Sequence, residues 1–178
     1  MAFLVASVAP AGAQTTRGAR PERPALPATA ATPDAATFEG HRINLAENWE
    51  QAQACIVLRG AQIVECFRTL DQAEDRAEDV MPQYAAAGYS CSSPLRLFEN
   101  SNYGGRQLLF FDRGYWQNLT DYGFNDKLSS YIIGACYTYL AEHINGVGAY
   151  YPGPTWAWAG VPNLISGWDN RMSSLYMA

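Results

Sequence analysis

The sequence predicts a mainly β protein, in which a two-sheet Greek-key sandwich follows a small disulfide-bonded hairpin and a helix. The first observation is a hexamer that occurs twice, at 125–130 and 44 residues later at 169–174. Both copies read acid or amide, acid or amide, base, unbranched apolar residue, serine, serine. A unit this short cannot bury its own apolar face, so the two copies must pack together. The second observation is that short apolar stretches typical of strands precede each copy.

The N-terminal residues predict export. Residues 1–13 are small and apolar, and Ala11-Gly12-Ala13 has the form of a signal-peptidase site. The positively charged start of a signal peptide is missing, which indicates a truncated signal; a disordered apolar tail is the alternative. Residues 14–37 are rich in Ala and Pro and predict a disordered linker. We therefore expect a secreted, extracellular protein.

The third observation is a hairpin in the predicted module 38–90. Two β-rich stretches, 55–58 and 63–66, flank the turn Arg59-Gly60-Ala61-Gln62. In a hairpin centred on this turn Leu58 faces Ile63 and Cys55 faces Cys66. Directly opposed residues have Cα atoms about 4.5 to 5.5 Å apart, within the reach of a disulfide, so we predict that Cys55 and Cys66 are bonded.

A helix follows the hairpin. Thr69 and Gln72 form a capping box, and apolar residues recur at helical spacing until Pro82, where the helix is expected to stop. Its other face carries five carboxylates, which either collect cations or form an ordinary solvated face. The module has few apolar residues, so we expect it to depend on its disulfide or on the domain that follows.

The remaining cysteines, Cys91 and Cys136, each lie just before the first strand of a repeat unit. With Cys55 and Cys66 paired, these two are left to form the second disulfide. A zinc site is the alternative, but no two cysteines are two to four residues apart and the chain has only 2 histidines.

The predicted domain 91–178 contains two units of four strands. The first unit takes 95–99, 107–111, a short piece near Leu119, and 130–133. The second takes 137–142, 148–151, 164–165 and 174–176. The Trp-containing loop 154–158 either covers one end of the sandwich or forms a contact surface.

A second matched piece opens each unit. Phe98-Glu99 is followed by Gly105, and Ala141-Glu142 by Gly148, at the same spacing. From about residue 95 onward the chain resembles a βγ-crystallin, whose Greek keys open with an aromatic residue, often a Glu, then a Gly seven residues after the aromatic, and close on a Ser. Ala141 departs from this pattern, and we expect its missing aromatic packing to loosen the second unit.

The hexamers resemble the double-clamp calcium motif of microbial βγ-crystallins, in which the two units exchange ligands. The resemblance implies two Ca²⁺ sites built from side-chain oxygens, hydroxyls and backbone carbonyls. The implied ligands are Glu99, Asn125, Asp126, Lys127, Ser129, Glu142, Asp169, Asn170, Arg171 and Ser173. The second serine of each hexamer, Ser130 or Ser174, is expected to cap the folded hairpin instead. Asx and Ser turns without metal are the alternative.

These features favour a secreted calcium-binding structural protein without catalysis, with a dissociation constant of about 10⁻⁵ to 10⁻³ M. The alternative is a secreted metalloproteinase inhibitor, whose partner would be an extracellular peptidase, because signal, disulfides and fold also resemble such inhibitors.

A net charge of −5 argues against nucleic acid as a partner. No apolar run approaches the roughly 20 residues of a membrane span. His41 and His143 lack the context of catalytic bases.

Overall fold

The computed structural model describes residues 35–85, 88 and 90–178. The predicted signal peptide 1–13 and all of the predicted linker except 35–37 lie outside this part of the chain. Strand β1 begins at Ala36, inside the stretch predicted as linker. Its alternating burial explains why, since Ala36 and Phe38 face the core while Thr37 is exposed.

Eleven strands and one α-helix make up the described part. The strands are β1 Ala36–Phe38, β2 His41–Ile43, β3 Ala54–Leu58, β4 Ile63–Phe67, β5 Ser90–Asn100, β6 Gly104–Asp112, β7 Trp116–Asn118, β8 Ser130–Ile132, β9 Thr138–Ala141, β10 Gly160–Val161 and β11 Ser174–Met177. The helix α1 is Leu70–Ala85. The two-sheet, mainly β prediction is confirmed.

The strands form two sheets, and each repeat unit contributes one strand to the sheet of the other unit. An eight-stranded sheet has the order β10-β8-β5-β6-β3-β4-β1-β2, and a three-stranded sheet has the order β7-β11-β9. Strand β7 of the first unit pairs with β11 of the second, and β10 of the second pairs with β8 of the first. Neither unit can therefore complete its sheets without the other, as the repeat length requires.

The hairpin has the predicted register. Leu58 pairs with Ile63, and Cys55 pairs with Cys66. Strand β3 also pairs in parallel with β6, which joins the hairpin to the repeat units in one sheet. One cluster of buried side chains extends from Phe38 in β1 to Leu175 in β11. The two predicted domains therefore share a sheet and a core.

Both disulfides predicted from the sequence are present. Cys55 is bonded to Cys66 across the hairpin, and Cys91 is bonded to Cys136. The second bond joins β5 of the first unit to the chain just before β9 of the second. Two disulfides are typical of a protein that matures in an oxidising compartment.

Helix α1 extends further than the sequence predicts. Thr69 Oγ1 accepts a hydrogen bond from the backbone N–H of Gln72, as expected of the cap, but the helix passes through Pro82 and ends at Ala85. Pro82 removes one backbone donor, while side chains on both sides of it hold the last turn. Met81 and Tyr84 pack against the apolar cluster under the helix, and the Tyr84 hydroxyl donates to Asp112. None of the helices that the structure describes has the length and apolar character needed to cross a membrane.

The short strands of the repeat lie earlier than predicted. The piece near Leu119 is β7, Trp116–Asn118, and residues 119–122 form a 3-10 turn. The strand predicted at 164–165 is β10 at Gly160–Val161. Leu164 is instead a loop residue that packs against the core, so its apolar character reflects burial rather than strand pairing. Between 148 and 151 the structure has only an isolated bridge, from Tyr150 to Ala141.

Candidate metal centre

The two hexamers lie against each other with a pseudo-twofold relation. The backbone N–H of Asp126 donates to the carbonyl of Met172 at 3.1 Å, and the N–H of Asn170 donates to the carbonyl of Leu128 at 3.1 Å. The second residue of each hexamer thus bonds to the fourth residue of the other. Leu128 and Met172 are fully buried, which fixes both loops on the core.

The second residue of each hexamer has a left-handed backbone conformation. The φ angle is 53° at Asp126 and 54° at Asn170. Asp and Asn tolerate this region better than other residues with a β-carbon, because their short polar side chains form local hydrogen bonds. The preference for acid or amide at this position therefore has a conformational cause in addition to any role in binding.

The last serine of each hexamer closes a folded hairpin. Ser130 Oγ donates to the Asn100 carbonyl at 2.6 Å and accepts from the N–H of Tyr103 at 3.0 Å. Ser174 Oγ bonds in the same way to the His143 carbonyl, at 2.6 Å, and to the N–H of Gly146, at 3.0 Å. Both serines are used as caps, as the sequence predicts.

Side-chain oxygen atoms from the two halves come together at the hexamers. Ser173 Oγ lies 3.4 Å from Asp126 Oδ1, which joins the fifth residue of the second hexamer to the second residue of the first. Beside Asp126, the Oδ1 atom of Asn125 is buried and has no hydrogen-bond partner. The Nδ2 atom of Asn125 donates to Asp126 Oδ2 at 2.7 Å. A buried acceptor without a partner costs free energy unless a cation or water satisfies it.

The third residue of each hexamer directs its side chain away from these oxygens. Lys127 Nζ donates to the Gly123 carbonyl at 2.8 Å, and Arg171 Nη1 donates to the Gly167 carbonyl at 3.1 Å. In the described part of the chain, no loop or turn N–H donates to the carbonyl of Lys127 or Arg171. These carbonyls therefore remain able to bind a cation.

The two opening glutamates form ion pairs through their side chains. Arg106 Nε donates to Glu99 at 2.8 Å, and Arg171 Nε donates to Glu142 at 2.9 Å. Each guanidinium lowers the pKa of its carboxyl group, and the N–H of Ala149 further lowers that of Glu142. Since the carboxylates are engaged, only the backbone oxygens of Glu99 and Glu142 fit the ligand role that the resemblance implies.

An aromatic residue from the first unit fills the gap at Ala141. In the first unit Phe98 packs on Tyr103 with ring centroids 5.4 Å apart. The second unit has Ala141 and Gly146 at these positions, and Trp116 packs beside them, stacked on Tyr150 at 5.8 Å. Ala141 is fully buried, so the position is covered although it has no aromatic side chain of its own, and the loosening of the second unit stays a prediction. The role of Trp116 could not be found by sequence alignment, because it comes from the other unit.

Clusters of the usual metal-binding side chains do not occur in the described part of the chain. Among the residues described, no three His, Cys, Asp or Glu side chains form a group that could hold a metal. The oxygen atoms at the hexamers are mostly amide, hydroxyl and carbonyl oxygens, which His, Cys, Asp and Glu side chains do not supply. His41 is exposed and pairs with Glu50 at 3.0 Å, while His143 contributes a carbonyl to the Ser174 cap.

Comparison with known proteins finds similar solved structures only. No family model matches the sequence, and no curated protein matches it. A βγ-crystallin from Ciona intestinalis is 25% identical with a TM-score of 0.41, over 48% of this chain and 99% of that one. A βγ-crystallin domain from Clostridium beijerinckii is 19% identical with a TM-score of 0.39, over 47% and 95%. The N-terminal domain of protein S is 19% identical with a TM-score of 0.40, over 48% and 96%.

These TM-scores are too low to establish a family, so the assignment of the fold rests on the topology and caps of this chain. Its two units exchange a strand, and each has a serine-capped folded hairpin followed by a glycine with positive φ, Gly105 or Gly148. The fold is βγ-crystallin-like. The hairpin and helix of residues 54–85 extend this βγ-crystallin-like domain at the β6 edge of its larger sheet.

Proposed function

We propose that the protein is a secreted calcium-binding structural module. The observation that carries this proposal is the approach of Ser173 Oγ to Asp126 Oδ1 across the two halves, beside the unpartnered oxygen of Asn125. Calcium accepts six to eight oxygen ligands in a flexible geometry, including hydroxyl, amide and backbone oxygens. The oxygens at the hexamers are of these kinds.

Each proposed site takes residues from both halves. The first site consists of Asp126 with the hydroxyl of Ser173 and the carbonyls of Arg171 and Glu142. The second consists of Asn170 with the hydroxyl of Ser129 and the carbonyls of Lys127 and Glu99. Asn125 and Asp169, the first residues of the hexamers, supply additional oxygen atoms.

A bound ion would act on stability. The proposed ligands come from loops that meet only when the two units are folded together, so the ion binds the native state and not the unfolded chain. Such binding stabilises the native state by about 2.7 kcal/mol when the free ion is at 100 times its dissociation constant. The protein residues supply the ligands and hold them in place through the reciprocal hexamer bonds and buried Leu128 and Met172.

Thermal unfolding with and without calcium tests this proposal. After treatment with a chelator, the melting temperature should rise by several degrees in millimolar Ca²⁺ if the dissociation constant is about 10⁻⁵ M, and by less if it is about 10⁻³ M, because the stabilisation increases with the ratio of free ion to dissociation constant. The variant Ser173→Ala removes one ligand and should show a smaller rise. Ser93→Ala, which lies outside the hexamers, serves as the control and should respond like the parent protein. An unchanged melting temperature at millimolar calcium would contradict the proposal.

The peptidase-inhibitor alternative stays a prediction, because no specific observation favours it. An inhibitor presents a rigid, extended peptide to the protease, and disulfides often supply the rigidity. Here Cys55–Cys66 joins paired strands, and the turn between them includes Arg59, which is buried.

A further inference from the structure

The loop between Tyr151 and Gly160 exposes two tryptophans. Trp156 is 62% exposed and Trp158 is 70% exposed, whereas Trp116 and Trp168 are buried. An indole that stays in water does not gain the free energy of burying its large apolar surface. Exposed apolar patches often mark binding sites. The neighbours Ala157 and Ala159 are too small to cover either ring.

The backbone of this loop is held at several points. The Tyr131 hydroxyl donates to the Pro154 carbonyl at 2.6 Å, and the N–H of Trp158 donates to the Gly134 carbonyl at 2.9 Å. The N–H of Ala159 donates to the Trp156 carbonyl at 3.1 Å, which closes a turn with Trp158 inside it. The indoles are thus attached to a fixed backbone, so binding a ligand would not require ordering the loop.

Trp158 has an unfavourable backbone conformation. Its φ angle is 69°, a region that bulky residues rarely occupy. The fold alone would favour glycine at this position. Backbone strain of this kind is retained mainly where it serves a function, so the exposed indole at this position needs an explanation other than folding.

The chain on both sides of the two indoles lacks charge. Residues 144–168 contain no Asp, Glu, Lys or Arg, and neither do residues 128–141, to which the loop is anchored. A charged ligand would lose hydration here without gaining an ionic partner. Arg96, two strands from Gly160 in the larger sheet, is already paired with Glu74 at 2.7 Å, so this surface favours a neutral ligand.

The exposed aromatic area is small. The exposed parts of the two side chains amount to roughly 300 Å², given that a whole aromatic side chain buries 150 to 250 Å². A stable protein interface needs about 800 Å² on each partner, so a second copy of the chain does not fit this surface. A narrow ligand with flat apolar faces fits this surface.

We propose that Trp156 and Trp158 bind a neutral polysaccharide by stacking on the apolar C–H faces of its sugar rings. Such rings are uncharged, and their hydroxyl groups point outward from the stacked face. The Tyr103 hydroxyl lies beside Gly160 at the edge of the loop and is placed to hydrogen-bond with a sugar hydroxyl. This binding site is separate from the hexamers and does not depend on calcium.

Co-sedimentation with insoluble cellulose, chitin and β-1,3-glucan tests the proposal with the full chain. The parent protein should sediment with at least one of these probes. The double variant Trp156→Ala/Trp158→Ala should bind at least tenfold more weakly. The matched control Ile144→Ala/Val147→Ala removes two other exposed apolar side chains, 46% and 49% exposed, and should bind like the parent.

The variant Trp158→Gly separates binding from folding. Glycine relieves the positive φ, so the melting temperature should stay the same or rise while polysaccharide binding falls. A loss of stability with unchanged binding would overturn the proposal, as would a failure of the parent protein to bind any of the three polysaccharides. Sedimentation with phosphatidylcholine vesicles instead would assign the surface to a membrane. A dimer that the double variant abolishes would assign it to a second copy.

Discussion

At the scale of single residues, the second hexamer position distinguishes the two proposed ion sites. Asp126 carries a charge and Asn170 does not, although their backbone conformations are the same. The first position has the reverse assignment, with Asn125 and Asp169, so each hexamer supplies one carboxylate. Since calcium affinity increases with ligand charge, Asp126→Asn should weaken the site with Asp126 about tenfold, and Asn170→Asp should strengthen the site with Asn170 by a similar factor.

Isothermal titration with calcium measures both affinities. In Asp126→Asn one site should be about tenfold weaker than in the parent protein, while the other site keeps its affinity. Asp79→Asn on the exposed face of α1 controls for the change in net charge. Unchanged affinities in Asp126→Asn would contradict the assignment of Asp126 to one site, while an absence of calcium heat in the parent protein would contradict calcium binding itself.

The opening glutamates predict a dependence of stability on pH. The pKa values of Glu99 and Glu142 are lowered in the folded state by Arg106 and Arg171, relative to an unfolded value of about 4.3. Their contribution to stability is therefore present above this pH and is lost as the pH falls through the lower, folded pKa. Urea unfolding should show that Glu99→Gln/Glu142→Gln destabilises the protein at pH 7 and much less at pH 2.5.

Glu78→Gln, on the exposed face of the helix, is the control for this measurement and should have little effect at either pH. If the double glutamine variant destabilises the protein equally at both pH values, the effect comes from packing and not from the ion pairs.

At the scale of structural elements, the folded hairpin of the second unit depends on Trp116. Gly146 has a φ angle of 74°, and a β-carbon there would overlap the Trp116 ring. Gly146→Ala should therefore cost about 1 to 2 kcal/mol of backbone strain and a further 1 to 3 kcal/mol of overpacking. Gly40 has a φ angle of 83° with no atoms near its β-carbon position, so Gly40→Ala should show the strain alone. Chemical denaturation of both variants would measure the difference, and equal losses would exclude the packing role of Trp116.

Local elements could be predicted where neighbouring residues determine them. The register of the hairpin follows from its turn, and the Cys55–Cys66 bond follows from that register. The end of α1 could not be predicted, because Tyr84 holds the turn after Pro82 through Asp112, which is distant in sequence. Strand β10 was missed because it has only two residues and pairs with the other unit.

The candidate site shows the same division. The hexamers could be found because they repeat, and their closing serines form the predicted caps. The Glu99 partner Arg106 and the packing of Trp116 on the second unit could not be found, because neither has a counterpart at the matching position of the other repeat. Lys127 and Arg171 match in the repeat, yet only Arg171 reaches an opening glutamate.

At the scale of the whole molecule, the hairpin and helix complete the larger sheet. Strand β3 covers the edge of β6 along four paired positions, from Gln107 to Phe110. Leu109 and Phe111, both buried, face the apolar cluster that the hairpin and α1 provide. Without these elements the repeat units would expose an unpaired edge strand together with apolar side chains, a combination that promotes aggregation.

A truncated chain of residues 90–178 tests this dependence. It should be less stable than a chain of residues 35–178, which keeps the hairpin and helix, and it should aggregate at concentrations where the longer chain stays monomeric. The longer chain should unfold in one transition by both fluorescence and circular dichroism, because its parts share a sheet and a core. Two separate transitions, or a truncated chain as stable and monomeric as the longer one, would show that the repeat units fold independently of the hairpin and helix.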